Sequence, residues 1–164
     1  MPHTTHTYAT HLTWTGNRGT GTSHYRAYDR AHEVRFANKP TLLCSSDPAF
    51  RGDPSRHNPE ELLVASLSSC HMLFFLFFAA KAGLKIDRYE DQAIGELARN
   101  SKGVMAMLKV RLRPQIVWAG NAPSAEQLDK LHHSAHEACY IANSVTTEVV
   151  VEAVKAGVEP EALT

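Results

Sequence analysis

The chain has 164 residues, 43% of them hydrophobic and 21% charged, a balance that suits one compact domain over residues 1–164 and excludes a disordered or fibrous chain. Seventeen basic residues against seventeen acidic ones give zero formal net charge, so nothing points to nucleic acid or an anionic membrane, and the expected partner is a small molecule or another protein. The three cysteines, Cys44, Cys70 and Cys139, are too few and odd in number for a secreted disulfide framework; with no signal-peptide pattern in MPHTTHTYATH, a cytoplasmic location is the expectation.

In chain order, residues 7–15 alternate with Tyr8, Thr10, Leu12 and Trp14 on one face, and TGNRGTG supplies turn residues before TSHYRAYD, which predicts a β-hairpin. A third short strand is expected near HEVRF. The next stretch, NKPTLLCSSDPAFRGDPSRHNP, is rich in Pro, Asp, Ser and Gly and reads as a long loop.

A helix from Asn58 to about Lys81 follows, with Asn58 as N-cap, Pro59 in the first turn, Glu61 at the capping-box position and Gly83 as the stop. Its stretch VASLSSCHMLFFLFFAA is apolar nearly all round. Residues 62–83 approach the length of a membrane span, but Ser66, Ser68, Ser69, His71 and Lys81 interrupt them. The expectation is a helix enclosed by protein on most sides, with a second copy of the chain helping to cover it.

Residues 89–99 and 104–117 are predicted as two strands around NSKG. Ser124 and Gln127 open a second helix with Leu128, Leu131, Ala135 and Ala138 on its apolar stripe, and SVTTEVVVEAV is the last strand. The order β-β-β-α-β-β-α-β defines an α+β domain.

The chemistry concentrates on Cys70, set among Ser68, Ser69 and His71 in the most apolar run. Free cysteine commonly serves as a small core hydrophobe. Polar neighbours, however, are costly to bury without partners. As a nucleophile Cys70 needs its thiolate stabilised, and it lies about three turns from the start of the helix, beyond the reach of the dipole. A cation must come from elsewhere, with Arg51 and Arg56 of the preceding loop or Arg18 of the first turn as candidates, and Glu60 as the carboxylate to orient it. Each of these arginines alone also fits a solvated loop charge. Cys139 sits at a helix C-terminus, which disfavours an anion and makes it the less acidic thiol. Cys44 has no predicted partner.

Two rival readings exist. His132, His136 and Cys139 share a helical face and suggest a zinc site, completed by Cys70 or His71. Alternatively the chain is a non-catalytic module that binds a small apolar ligand.

NPEELLVASLSSC with its apolar helix, and AHEACYIANSVTTEV some seventy residues later, resemble the OsmC/Ohr family of peroxide-reducing proteins. The similarity starts at YATHLTWTGNRGTGTSHYRAY and covers nearly the whole chain. It implies an intertwined homodimer with central helices flanked by sheets. It also implies a hydroperoxide reductase that needs no metal or organic cofactor, in which Cys70 is peroxidatic, Cys139 resolving, and Glu60 orients an activating arginine. Arg51 is similar to the arginine of the OsmC branch and Arg18 to that of the Ohr branch. An organic hydroperoxide is the implied substrate, with hydrogen peroxide as an alternative, and a dithiol such as a lipoyl group is the implied reductant. Phe74, Phe75, Phe77, Phe78 and Leu73 would favour a substrate with an apolar tail. Family members often carry Pro after the second cysteine; here Tyr140 stands there.

Overall fold

The computed structural model describes residues 4–152, which form two compact units dividing at Leu62 and Leu63. In the N-terminal unit, β1 (His11–Trp14), β2 (His32–Arg35) and β3 (Leu42–Cys44) form an antiparallel sheet in that order, with Leu12 opposite Val34 and Val34 opposite Leu42. The partner of β1 is therefore HEVR and not TSHYRAYD.

Local side-chain bonds explain the difference, because they draw the backbone away from a regular ladder. Asn17 Oδ1 accepts from the N–H groups of Gly19 and Gly21 at 2.8 and 2.9 Å, and the Arg30 guanidinium lies 4.3 Å from the ring centres of both Tyr25 and Tyr28. Only the base of this excursion is zipped, by an Asn17–Tyr28 bridge and by the Asp29 N–H donating to Gly16 O at 2.8 Å.

β3 lies inside the segment expected to be all loop. The remainder contains a single 3-10 turn at Pro48–Phe50, capped by the Asp47 side chain and closed by Arg51 in the left-handed region. Gly52 follows because a Cβ there would lie 1.4 Å from Ser46 O. A bridge from His57 back to Cys44 then returns the chain to β3.

Helix α1 runs Pro59–Lys81. Asn58 Oδ1 accepts from Glu61 N at 2.8 Å, while Glu61 Oε2 accepts from Asn58 N at 3.2 Å, the reciprocal box expected from the sequence. Gly83, at φ 74°, ends it. By length and composition this helix is apolar enough to cross a membrane.

The C-terminal unit holds most of α1, a two-stranded sheet of β4 (Ile86–Asp91) and β7 (Pro114–Trp118), and a three-stranded sheet of β5 (Ile94–Arg99), β6 (Met105–Leu112) and β8 (Glu148–Val151). It also holds helix α2 (Ala125–Ala138), which has the expected Ser124–Gln127 capping box. β8 runs parallel to β6 and the other pairs are antiparallel.

Each of the two long predicted strands is thus split where the chain changes sheets, after Asp91 and at Arg113. Asp91 Oδ1 accepts from Arg113 N at 2.6 Å, tying the two switch points together, and Pro114 has no N–H to continue a ladder. The end of SVTTEVVVEAV lies outside the described residues.

Two apolar clusters fill this unit. One gathers Phe75 and Ala79 of α1 with Leu131 and Ala135 of α2; the other gathers Leu67 of α1 with Val110 and Leu112 of β6. The buried residues of α1 are Leu67, His71, Phe75 and Ala79, a single stripe at i, i+4 spacing. On another side of the helix, Leu73 and Phe77 are 60% and 58% exposed. Enclosure on most sides is therefore not achieved within one chain.

Candidate functional site

The Ser-Ser-Cys-His turn of α1 falls between the two clusters, after Leu67 and before Phe75, and each of its polar groups has a place. Ser68 Oγ donates to Asp91 Oδ2 at 2.5 Å, and Ser69 is exposed. His71 Nε2 lies 3.1 Å from His132 Nδ1 of α2. One turn earlier, Ser66 Oγ donates to Leu63 O at 2.8 Å. The polar interruption in the apolar run is thus a set of contacts with β4 and α2.

Cys70 is half-buried, and both it and Cys139 are free thiols. Cys139 caps the C-terminus of α2, is 1% exposed, and accepts from Ala142 N at 3.4 Å on its sulfur. Burial, and next its interaction with the Cys70 side chain, push the Cys139 thiol up to about 11 against the opposing pull of the Ala142 and Ile141 N–H groups. Cys139 is therefore protonated near neutrality, in the direction expected from its helix end, with burial as the main cause. The structure brings the two cysteines together: one partly open to solvent, the other buried beside it.

Tyr140, directly after Cys139, packs edge-on against Phe74 with ring centres 5.0 Å apart. Phe74 follows Cys70 by one helical turn, so this pair forms an apolar wall next to the thiols. Tyr140 remains 73% exposed.

His71 and His132 are 1% and 8% exposed. Burial holds both imidazoles well below their usual range, at about 4, helped at His71 by His132 and His136 and opposed at His132 by Asp129. Neither is a surface ligand. Among the described residues no three His, Cys, Asp or Glu side chains converge as a metal site, so the zinc reading of His132, His136 and Cys139 finds no geometry there.

In the N-terminal unit, Arg18 and Arg51 both approach one carboxylate. Arg18 grips Asp29 through Nε at 2.8 Å and through Nη2; this hydrogen bond is the main reason the Asp29 carboxyl lies below its usual range, with Arg30 and Arg51 adding smaller effects. Within this unit Glu60 pairs with neither arginine. Arg51 has φ 66°, a conformation that is uncommon without glycine and tends to occur at functional positions. Arg56 contacts Asp53 at 3.5 Å and lies near Cys44, a buried thiol that burial pushes up and Arg56 draws partly back.

The sequence reading missed Asp29 and the His71–His132 pair. The only signal for Asp29 was an acidic residue in an arginine-rich segment. His71 and His132 lie 61 residues apart, and nothing local marks them as partners.

The model of the family described as OsmC-like protein matches residues 52–154. Among solved structures, an OsmC-like protein of unknown function from Vibrio cholerae is 42% identical, with a TM-score of 0.84 over 92% of this chain and 100% of that one. An organic hydroperoxide resistance protein OsmC from Legionella pneumophila is 17% identical (TM-score 0.65, covering 90% and 95%). The organic hydroperoxide resistance protein OhrB of Bacillus subtilis is 18% identical (TM-score 0.66, covering 91% and 98%). At these lower identities the likeness concerns the fold. No curated protein matches the chain.

Proposed function

The chain belongs to the OsmC-like protein family, and on that premise we propose that it is a cysteine-based peroxidase that reduces organic hydroperoxides through Cys70 and Cys139. The observation that carries the reading is the pairing of a half-exposed Cys70 with a buried, protonated Cys139. The names of the Legionella and Bacillus proteins, which refer to organic hydroperoxide resistance, support the substrate class.

In the proposed cycle the Cys70 thiolate attacks the distal peroxide oxygen. The O–O bond breaks, the alcohol leaves after taking up a proton, and Cys70 becomes a sulfenic acid. Cys139 then attacks the Cys70 sulfur, forming a disulfide and releasing water. An external dithiol, of lipoyl type, returns both thiols. The arginine that stabilises the thiolate in this cycle is Arg18 or Arg51, oriented by Glu60, with Asp29 as a second carboxylate on Arg18.

The active form in this proposal is a homodimer, in which a second copy covers the exposed Leu73 and Phe77 side of α1. The Phe74–Tyr140 wall favours a hydroperoxide with an apolar tail, since each buried methylene contributes about 0.8 kcal/mol. Steady-state turnover of an alkyl hydroperoxide and of hydrogen peroxide, with wild type and Cys70→Ser, tests the proposal. Preference for the alkyl substrate and loss of turnover in the variant are expected; consumption unchanged by Cys70→Ser overturns the enzymatic reading.

A further inference from the structure

The hydrogen bond between His71 and His132 has no part in the thiol chemistry, yet it joins the same two helices as the cysteines do. The two rings are nearly parallel, 10° between planes with centres 5.4 Å apart, and Phe75 lies 4.4 Å from the His132 ring. His71 directly follows Cys70. On α2, His132 precedes Cys139 by two turns, about 10 Å of helix rise, and the spacing puts both on one face.

His71 Nδ1 is buried without a partner. A bare nitrogen lone pair is cheaper to leave unpaired there than an N–H, so we assign the His71 proton to Nε2, which donates to His132 Nδ1. Apolar packing between α1 and α2 is non-directional and tolerates sliding. The imidazole pair does not, because any other register leaves further nitrogens unpaired in a dry setting.

We propose that His71 and His132 are positioning residues whose hydrogen bond holds α2 in register on α1, so that Cys139 reaches the sulfur of Cys70 and closes the disulfide. The inference rests on the peroxidase reading for its biological setting, but its geometry does not. The step it serves is Cys70–SOH plus HS–Cys139 giving Cys70–S–S–Cys139 and water, the two electrons having already gone to the hydroperoxide.

The pair is also an acid-sensitive contact. A proton on His132 Nδ1 removes the acceptor. A proton on His71 Nδ1 leaves a buried cation next to His132 and His136, and among the described residues no carboxylate acts on it at His71. The groups around the pair are Asp129 and His136 of α2, Cys70 and Cys139, and Tyr89 of β4, which packs on Phe75. Only Asp129 among them favours the charged form, and it acts on His132.

The test is single-turnover kinetics with one equivalent of alkyl hydroperoxide, resolving sulfenic acid formation from disulfide closure. His132→Phe, which keeps a ring but no nitrogen, is expected to form the sulfenic acid at the wild-type rate and to close the disulfide at least tenfold more slowly. In His71→Gln with His132→Asn, amides replace the two facing nitrogens; closure is expected to recover to within about threefold of wild type. The ratio of wild-type to double-variant closure rates should be level near neutrality and fall as pH drops below about 5 towards 4, where the folded imidazole pair takes up its proton and the amides that replace it do not. Closure in His132→Phe as fast as in wild type, or a double variant as slow as the single one, overturns the proposal. Should His132→Phe not fold, the pH ratio decides, and a flat ratio is the contradicting result. If wild type forms no sulfenic acid at all, the peroxidase reading fails separately. Closure is then driven by a diazenedicarboxamide thiol oxidant, and equal rates in wild type and His132→Phe contradict the positioning role.

Discussion

Arg18 binds Asp29 with two guanidinium nitrogens, and Arg51 lies near enough to act on the same carboxylate. This cluster is solvent-exposed, where ion pairs contribute little to stability; in the proposed cycle it orients the activating cation. Asp29→Asn is expected to leave Tm nearly unchanged and to slow sulfenic acid formation about tenfold, because a poorly held cation stabilises the attacking sulfur less. Comparing Arg18→Ala with Arg51→Ala in the same assay identifies the activating arginine as the one whose loss costs more. A wild-type rate in all three variants contradicts a role for the cluster.

The buried histidines make the protein's stability fall in acid. Both imidazoles are held at about 4 in the folded state, mainly by burial, against about 6.5 in an unfolded chain. The unfolded state therefore binds more protons between these values, so the stability contributed is complete above about pH 6.5 and is lost as pH falls towards about 4. Tm measured from pH 7 to pH 4.5 should fall steadily. His71→Gln with His132→Asn should flatten that slope. The lowered carboxyls of Asp29 and Asp53 lose their contribution only further down, below the usual carboxylate range.

Cys139→Ser separates the two thiol steps. The first turnover should proceed, and the sulfenic acid on Cys70 should persist for trapping by a dione reagent instead of closing to a disulfide. Immediate loss of the first turnover would assign Cys139 a different role.

Gly95 marks a tight point between α1 and the three-stranded sheet. A Cβ there would lie 2.4 Å from the Met107 methyl and 2.5 Å from Val64 Cγ2. Gly95→Ala is expected to cost about 1–3 kcal/mol by overpacking, measurable by urea unfolding. An unchanged midpoint would mean that Val64 and Met107 shift freely.

The helices were the most legible part of the sequence, because their signals are local. Asn58 with Glu61, Ser124 with Gln127, and Gly83 each state a boundary within four residues. The strands were less legible. β1 pairs across an excursion held by Asn17 and Arg30 side-chain contacts, and the sheet changes at Asp91 and Arg113 depend on a hydrogen bond between residues 22 apart. Cys70 and Cys139 stand out through their polar and helical context together with the family resemblance, and the structure sets their side chains against each other. Asp29 and His132 do not stand out, since their partners are chosen by tertiary structure and leave no periodic pattern.

The apolar α1 illustrates the same limit. Its sequence, apolar on every side, foretells burial without saying against what, and within one chain only the Leu67, His71, Phe75 and Ala79 stripe is covered. Phe77→Glu is expected to convert a dimer to monomers in sedimentation if a second copy covers the other side. An unchanged dimer would place the interface elsewhere.

In the proposed cycle Cys70 and Cys139 form one redox pair. Mass spectrometry of the protein after one equivalent of an alkyl hydroperoxide tests it most directly. A Cys70–Cys139 disulfide with Cys44 still a free thiol is expected. Cys70 left reduced, or a disulfide that includes Cys44, would contradict it.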